Sequence, residues 1–297
     1  MTMSKIIFGI DVGGTTCKCG TFSEEGELLR KEEIPTRKDE GGSLILPDIS
    51  EYIKGVLVDM NMTTEDVAGI GMGLPGACLE DGTVNKCINL GWGVFNAANV
   101  LSELTGIPVK IGNDANMAAL GEFWVGGGVI IDGKPLYGFN GAAGEIGHLP
   151  LVEDETESCN CGKKGCLEQV ASATGIVRTA NRMLAESDMP SSLRSVPYIS
   201  AKVIFDEAKG GDALAIQVTE YVCRYLGKGL ACAAGMVDPE VFVIGGGVSA
   251  AGEYFINLID KYYKECVFHA SRQTKIVKAA LGNDAGMYGA AKLILGN

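Results

Sequence analysis

The stretch IIFGIDVGGTTCKCGTF, residues 6–22, joins two apolar runs through paired glycines and threonines. The first run, Lys5 to Asp11, is too short for a helix and ends at the glycines, so it predicts a buried strand. A second strand is predicted over Cys17 to Phe22, and a third over Glu27 to Glu33 after a turn. The chain is therefore predicted to open with an antiparallel meander.

Farther along, predicted strands alternate with predicted helices. Strands are predicted over Val67 to Met72 and Val109 to Gly112, and Asn96 is predicted to cap a helix closed by Gly106. A long helix is predicted from Asp212 to about Ala234, because its apolar residues keep helical spacing on one face. Such alternation indicates α/β layers.

Length and composition exclude several classes of protein. The 297 residues suggest two domains, and 46% hydrophobic residues are typical of a globular chain. The 37 acidic and 25 basic residues give a net charge of −12, so we expect no nucleic-acid partner. With no apolar run of about 18 residues and no leader before the first strand, we expect a soluble cytoplasmic protein without a membrane partner. Its ten cysteines should therefore be mostly reduced.

The turn after the first strand has the composition of a phosphate site. It reads Asp11-Val12-Gly13-Gly14-Thr15-Thr16, with Lys18 two residues on. Paired glycines let backbone N–H groups approach a phosphate, and threonine hydroxyls add donors. The Asp11 carboxylate would repel phosphate unless a divalent metal lay between them, which favours Mg-nucleotide binding. The alternative is a plain hairpin with a Gly-Gly turn.

A second glycine turn, Gly245-Gly246-Gly247, follows a predicted strand at Val241 to Ile244. A strand-to-helix turn of this kind can admit a flat or anionic ligand at the helix N–H groups. A dinucleotide fingerprint is disfavoured, because the turn lies late in the chain and no clear acidic residue follows about 20 positions on.

The strongest cluster lies in GEIGHLPL and CNCGKKGCLE and consists of His148, Cys159, Cys161 and Cys166. Three thiols within eight residues, with one of only two histidines, supply the four N and S ligands that structural zinc takes. Four protein ligands leave no open coordination position, which favours a structural over a catalytic ion. The alternative is a loop of free surface thiols.

Carboxylates and amides accompany this cluster. Glu145 and Glu168 lie around it, and Asn113 and Asp114 lie upstream in the sequence IGNDA. Such groups suit a sugar site, because each can exchange hydrogen bonds with adjacent hydroxyls. The pentapeptide is echoed by LGNDA at 281–285, which indicates either duplicated halves or chance.

At these residues the sequence resembles the ROK family of bacterial sugar kinases and sugar-responsive regulators. The motifs that carry the resemblance are DVGGTT, GLPG, GNDAN, GAAGEIGH, CNCGKKGCLE and VIGGGVSAAGE, which together span nearly the whole chain. NLGW at 89–92 and ASATGIVR at 171–178 are most similar to the glucokinase branch of Gram-positive bacteria. The resemblance implies an α/β, two-domain actin/hexokinase/Hsp70-like (ribonuclease H-like) fold with a zinc-binding loop. It also implies a smaller domain of residues 1–114 plus about 285–297 and a larger one of residues 115–284.

Position within these motifs implies a role for each residue. Asp114 is implied as the catalytic base, and Asp284 in the echo has no catalytic counterpart. The implied sugar-binding residues are Gly73, Asn113, Asp114, Glu145, His148 and Glu168. The implied ATP and Mg²⁺ residues are Asp11, Gly13, Gly14, Thr15, Thr16, Lys18, Gly245, Gly246 and Gly247. The implied Zn²⁺ ligands are His148, Cys159, Cys161 and Cys166, with the second ring nitrogen of the histidine on the sugar.

These roles imply an ATP-dependent hexose kinase acting in glycolysis, with glucose as the leading substrate and a homodimer as the assembly. A kinase for fructose, N-acetylmannosamine or N-acetylglucosamine stays open, because the same polar groups serve all hexoses. A sugar-responsive regulator is disfavoured, since such proteins place a helix-turn-helix segment before the first strand, where four residues stand here. A chaperone-like ATPase is disfavoured by the sugar and zinc residues.

One stretch departs from the family. Relatives continue after GEFW through a strand and a second phosphate turn resembling LGTGVGGG, whereas here Trp124 is followed by VGGGVIIDGK. About fifteen residues are missing, and loss of a central strand would leave backbone groups unpaired in a core. We therefore expect a break within Val125 to Val129, where further residues belong. A genuine deletion would instead weaken ATP binding and leave a sugar-binding protein with little kinase activity.

Overall fold

The computed structural model describes residues 5–121 and 128–295. The chain divides into two compact units. Residues 1–144 and 281–297 form the first unit, and residues 145–280 form the second.

The elements are numbered along the chain. The strands are β1 (Ile6–Val12), β2 (Thr16–Ser23), β3 (Leu28–Pro35), β4 (Val67–Leu74), β5 (Thr83–Cys87), β6 (Trp92–Asn96), β7 (Val109–Asn113), β8 (Ile130–Ile131), β9 (Lys134–Pro135), β10 (Val241–Ile244) and β11 (Lys275–Lys278). The helices are α1 (Asp39–Gly42), α2 (Ile45–Asp59), α3 (Ala97–Thr105), α4 (Asp114–Gly121), α5 (Glu168–Ala171), α6 (Ala173–Glu186), α7 (Ala201–Lys209), α8 (Ala213–Val237), α9 (Glu253–Cys266) and α10 (Ala285–Leu295).

The first unit contains a five-stranded sheet with the order β3-β2-β1-β4-β7. β2 pairs antiparallel with both β1 and β3, so the predicted meander is confirmed. β1, β4 and β7 run parallel, and their carboxyl ends therefore meet at one edge of the sheet. There Asp11 of β1 is in register with Gly73 of β4, and Leu74 with Asn113 of β7. This edge brings together three of the segments predicted to bind ligands.

Helix α10 lies directly on this sheet. A Cβ on Gly71 of β4 would overlap the backbone carbonyl of Ala290, so the close approach requires glycine. Ile7, Phe22 and Met287 are fully buried between the helix and the strands. Helix α4 packs against α10, which fixes the residues that follow β7 to the same layer.

Helix α3 shows how local sequence sets the ends of an element. Asn96 accepts a hydrogen bond from Asn99 N at 2.8 Å, and Gly106 ends the helix in the left-handed conformation. Both capping residues were predicted from the sequence, and both predictions are confirmed.

The second unit is mainly helical. In its described part, β10 and β11 form a parallel pair. The predicted long helix is confirmed as α8, which packs against α9 through a core that includes Val222, Ile259 and Tyr263. Within residues 5–121 and 128–295, no helix is long and apolar enough to cross a membrane.

Two expectations remain predictions. The break expected within Val125 to Val129 falls largely on residues 122–127, which lie outside the described ranges. The domain boundary predicted after Asp114 also remains a prediction. In the compact units, helix α4 and the β8–β9 hairpin belong with the first unit.

Candidate active site

The turn between β1 and β2 exposes backbone at the edge of the sheet. Gly13 N donates to Thr16 O at 3.0 Å, which closes the turn. Gly14 and Thr15 are exposed, and no atom lies within 4 Å of a Cβ built on Gly14. The turn therefore presents accessible N–H groups, as binding of a phosphate requires.

Thr36, directly after β3, braces this turn. Its Oγ1 donates to Gly13 O at 2.8 Å, and its backbone N–H donates to Thr15 O at 2.9 Å. Cys17 Sγ lies 3.4 Å from the same hydroxyl. The sequence does not predict this role, because a lone threonine carries no motif and its contact depends on the pairing of β2 with β3.

The carboxylate of Asp11 occupies space that Gly286 leaves open, and Gly73 lies beside it. A Cβ on Gly73 would lie 3.7 Å from Asp11 Oδ1, and a Cβ on Gly286 would lie 2.5 Å from Oδ2. Burial raises the pKa of Asp11, and the charge of Lys18 partly opposes that rise. A carboxylate placed beside an exposed phosphate turn fits a Mg²⁺ ion or its water shell.

Asn113 links the GLPG loop to the start of α4. Its Nδ2 donates to Gly76 O at 3.0 Å, while its Oδ1 accepts from Ala115 N at 2.9 Å and Asn116 N at 3.2 Å. The side chain is buried. Three of the four hydrogen-bonding positions of this amide thus hold the protein backbone at the sheet edge.

Asp114 is the first residue of α4 and is partly exposed. Its Oδ1 accepts a hydrogen bond from Ala115 N at 2.7 Å, and a helix N-terminus stabilises a carboxylate. Burial, together with the charges of Asp114 and Cys87, raises the pKa of Cys78 to about 12. Cys78 and Cys87 are therefore neighbours of the predicted base that no sequence motif indicated.

The echo residue Asp284 has a different environment. Its two carboxylate oxygens accept from Lys31 Nζ at 2.6 and 2.7 Å, which ties the turn before α10 to β3. This contact gives Asp284 a structural partner. That it has no catalytic role remains a prediction.

The four residues predicted to bind zinc lie together in the second unit. Their ligand atoms, on His148, Cys159, Cys161 and Cys166, all lie within 4.8 Å of one another. The sulfurs of Cys161 and Cys166 are 3.5 Å apart, and Cys159 Sγ is 3.7 Å from His148 Nδ1. Tetrahedral zinc, with bonds of about 2.3 Å to sulfur and 2.0 Å to nitrogen, spaces its ligands roughly 3.5–3.8 Å apart. The donor set and its spacing therefore fit zinc.

Two carboxylates accompany the histidine of this cluster. His148 Nδ1 lies 3.7 Å from Glu168 Oε1, and Nε2 lies 3.9 Å from Glu145 Oε2. Burial raises the pKa of Glu145, His148 lowers it, and the charge of Glu168 raises it further. Nδ1 of His148 thus faces Cys159 and Nε2 faces Glu145. This arrangement is compatible with a separate role for each ring nitrogen.

The second glycine turn follows β10 as predicted. Gly246 has a φ of 82°, and its carbonyl accepts from both Ser249 N at 2.9 Å and Ser249 Oγ at 2.7 Å. Gly247 is exposed, with no atom within 4 Å of a Cβ built on it. A contact of this turn with adenosine remains a prediction.

A family model described as "ROK family" matches residues 7–297. The chain belongs to the ROK family. Its two-unit α/β architecture is accordingly the ROK sugar-kinase fold, of the actin and hexokinase type, and the predicted fold class is confirmed. In addition to this fold, the chain contains the cluster of His148, Cys159, Cys161 and Cys166, which has the donor atoms to bind a metal.

Relatives of this ROK chain differ in the sugar that their names state. The glucokinase of Halalkalibacterium halodurans is 38% identical and covers 96% of this chain and 94% of its own length. The N-acetylmannosamine kinase of Citrobacter koseri is 29% identical, with coverages of 97% and 98%. Among solved structures, a ROK family glucokinase from Streptomyces griseus, in complex with glucose and AMPPNP, has a TM-score of 0.74 and 31% identity, with coverages of 97% and 98%.

These alignments also bear on chain length. Each of the two sequence alignments extends over 309 positions, whereas the ROK chain has 297 residues. Both relatives therefore carry residues that have no counterpart in this chain. The comparisons support a sugar kinase that uses ATP, and they leave the hexose open.

Proposed function

We propose that this protein transfers the γ-phosphoryl group of ATP to the 6-hydroxyl of glucose, with Asp114 as the general base. The main support is the placement of Asp114 and the Asp11–Thr16 turn at the same edge of one sheet. Their strands, β7 and β1, are separated only by β4, so they lie roughly 10 Å apart across the sheet. That spacing can accommodate a sugar hydroxyl at the base and a phosphate chain at the turn.

Asp114 would accept the proton of the sugar hydroxyl as the bond to phosphorus forms. A carboxylate with an ordinary pKa near 4 is a weak base toward an alcohol in the ground state. Phosphoryl transfer proceeds through a loose transition state, in which the proton has to leave only late. Orientation of the hydroxyl by Asp114 therefore matters more than its basicity.

The sugar hydroxyls would be held by amide, carboxylate and imidazole groups, with Gly73 leaving room beside them. The residues proposed for this role are Asn113, Asp114, Glu145, His148 and Glu168. These groups offer both donors and acceptors, which adjacent hydroxyls require.

The nucleotide would be bound mainly through its phosphates. The backbone N–H of Gly14, the hydroxyls of Thr15 and Thr16 and the ammonium group of Lys18 would supply donors around the turn, and Gly13 would shape the turn through its N–H bond to Thr16 O. Mg²⁺, when bound near Asp11, supplies neutralisation of the phosphate charge. Gly245, Gly246 and Gly247 would leave space for the adenosine group.

We further propose that the cluster of His148, Cys159, Cys161 and Cys166 holds structural Zn²⁺. Three thiolates and one imidazole nitrogen would supply the four protein ligands of a structural zinc site, so the ion would stabilise the loop and would not bind substrate. Because His148 would be a zinc ligand and Glu168 adjoins the cluster, a bound ion would also hold these two proposed sugar ligands in position.

A panel of hexoses tests the substrate. We expect glucose to give the highest kcat/KM with Mg-ATP, followed through release of ADP. The panel should include fructose, mannose, N-acetylglucosamine and N-acetylmannosamine, because a kinase for N-acetylmannosamine is among the relatives. A preference of tenfold or more for an N-acetylated sugar would reassign the substrate while leaving the kinase reaction intact.

We propose a homodimer on the basis of family resemblance. Sedimentation velocity at micromolar concentration should show a species of twice the 31.1 kDa chain mass. Sedimentation as a monomer throughout that range would contradict the proposal.

A further inference from the structure

The side chain of Gln169 joins the two ends of the cysteine loop. Its Oε1 accepts from Cys166 N at 3.1 Å, and its Nε2 donates to Glu157 O at 3.1 Å. Glu157 precedes the first cysteine ligand by two residues, whereas Cys166 is the last one. The side-chain amide of Gln169 therefore fixes the distance between the segment that enters the cysteine loop at Glu157 and the segment that leaves it at Cys166.

Arg178 of α6 anchors the same segment from outside. Its guanidinium donates to Glu157 Oε2 at 2.7 Å, to the carboxylate of Glu155, and to the backbone carbonyl of Gln169 at 2.8 Å. The side chain of Glu155 is only 6% exposed. Because the fork of an arginine can make several bonds in fixed directions, these contacts hold the entering segment and α5 against α6.

Backbone hydrogen bonds also restrain this loop. Cys159 N donates to Lys163 O at 2.7 Å, and Gly162 N donates to Cys159 O at 2.9 Å, but both bonds lie within the turn itself. Outside the turn, Leu151 and Val152 donate to Gly165 O, Leu167 N donates to Leu149 O at 2.9 Å, and His148 Nδ1 lies 3.7 Å from Glu168 Oε1. Gln169 and Arg178 each form hydrogen bonds both with Glu157, before Cys159, and with the segment that follows Cys159.

We propose that Gln169 and Arg178 are positioning residues for the metal site. They would hold Cys159 and Cys166 at ligand spacing before the ion arrives, so that binding does not have to order the loop. Groups that orient metal ligands in this way typically change metal affinity by about 10- to 100-fold when they are removed. The inference rests on the proposed zinc site and adds the residues that preorganise it.

Gln169 also adjoins Glu168, a proposed sugar ligand and the acceptor of a 2.7 Å hydrogen bond from Cys159 Sγ. Loss of the hydrogen bonds of the Gln169 side chain would therefore disturb both the cysteine loop and the carboxylate of Glu168. A residue that merely stabilised α5 would lower the free energy of unfolding without changing the affinity for zinc.

The test compares Gln169→Leu and Arg178→Met with Arg182→Met. Arg182 lies one helical turn farther along α6 and packs its guanidinium over the ring of Tyr221, 5.5 Å from the centroid, so it serves as a matched control. Gln169→Glu is a fourth variant, because it keeps the acceptor for Cys166 N but loses the donor to Glu157 O. Zinc affinity is measured by competition with a chromophoric chelator, and amide hydrogen exchange is followed over residues 155–169 in the metal-free proteins.

We expect Gln169→Leu and Arg178→Met to weaken zinc binding at least about tenfold and to speed exchange of the loop amides. Gln169→Glu should lie between Gln169→Leu and the parent protein, and Arg182→Met should match the parent. Unchanged affinity in Gln169→Leu and Arg178→Met, or an equal loss in Arg182→Met, would overturn the inference. A parent protein that binds no zinc would overturn the proposed metal site itself, and this failure is visible without any variant.

Discussion

The carboxylate of Asp11 lies where a side chain on Gly286 would have to go. A Cβ built on Gly286 would be 2.5 Å from both Asp11 Cγ and Oδ2, which is closer than real Cβ atoms approach. The two residues are far apart in sequence, but α10 brings Gly286 onto the carboxyl end of β1. The position of the proposed Mg²⁺ residue therefore depends on a helix at the other end of the chain.

We expect Gly286→Ala to displace the Asp11 carboxylate and lower kcat/KM for Mg-ATP by about 10²-fold, because small misplacements of reacting groups are costly. The control is Gly55→Ala in α2, where a Cβ meets no atom within 4 Å. That change should leave activity intact and raise the free energy of unfolding by about 0.4–1 kcal/mol. Full activity in Gly286→Ala would show that Asp11 does not need its present position.

Substitution of the proposed base tests the chemistry. Asp114→Asn should retain the fold and the binding of glucose but lower kcat by about 10² or more, because the amide cannot accept the proton. Asp284→Asn is the matched control from the second GNDA sequence. It loses only the partly exposed contact with Lys31, which is worth roughly 0–1 kcal/mol. Steady-state kinetics with calorimetric titration of glucose separates the two effects, and a kcat near that of the parent in Asp114→Asn would contradict the assignment.

Removal of the metal tests the link between the cysteine loop and the sugar. Carefully purified protein should contain one zinc per chain by elemental analysis, and a strong chelator should lower thermal stability. Because His148 belongs to the cluster and Glu168 adjoins it, chelation should also raise KM for glucose. Cys166→Ser should reproduce both effects, whereas Cys232→Ser, at an exposed thiol elsewhere in the second unit, should reproduce neither. A change in stability without a change in KM would mean that the ion does not order the sugar residues.

Local signals allowed part of this fold and site to be predicted. The meander of β1 to β3, the caps of α3 and the four residues of the metal cluster follow from short motifs and spacing. The β5–β6 hairpin was not predicted, because the consecutive exposed polar residues Asn85 and Lys86 interrupt the alternation expected of a strand. The contact of Gly286 with Asp11 could not be predicted at all, because it depends on how α10 packs on the sheet.

The N-terminus of α8 gives a prediction about pH. Asp212 accepts hydrogen bonds from Ala215 N at 2.8 Å and Ser192 N at 2.7 Å. Burial raises the pKa of Asp212, but these bonds and those of the Ser191 and Ser192 hydroxyls outweigh burial and hold it below the ordinary value. A lowered native pKa means that the charged carboxylate stabilises the fold above about pH 4, and that this stability is lost as the pH falls through the native pKa.

We therefore expect Asp212→Ala to lower the free energy of unfolding by about 1 kcal/mol at pH 7, with a smaller difference from the parent near pH 3. Urea denaturation at both pH values measures this. Asp188→Ala is a control in the same unit, at a carboxylate for which no capping bond is described. A destabilisation by Asp212→Ala that is the same at both pH values would show that the carboxylate charge is not responsible.

The last prediction concerns nucleotide binding by the chain at its printed length. The family resemblance implies two phosphate turns, and the sequence provides DVGGTT but lacks the second between Trp124 and Val129. One turn leaves part of the phosphate charge without donors, so we expect a high KM for ATP. Insertion of about fifteen residues of strand-and-turn sequence after Trp124 should lower that KM at least about tenfold.

An insertion of equal length composed of glycine and serine is the control, because it restores length without a strand or a phosphate turn. It should leave KM for ATP unchanged, and glucose affinity should be similar in all three proteins, since the proposed sugar residues lie outside the insertion. Intact mass spectrometry has to come first: a mass of 31.1 kDa identifies the printed chain, whereas an excess of about fifteen residues would show that the segment is already present. Equal KM values for ATP in the parent and in the strand-and-turn variant would contradict this prediction. Such a result would mean that the turn at Asp11–Thr16 is sufficient to bind the phosphates, because a second set of donors would have added nothing to their binding.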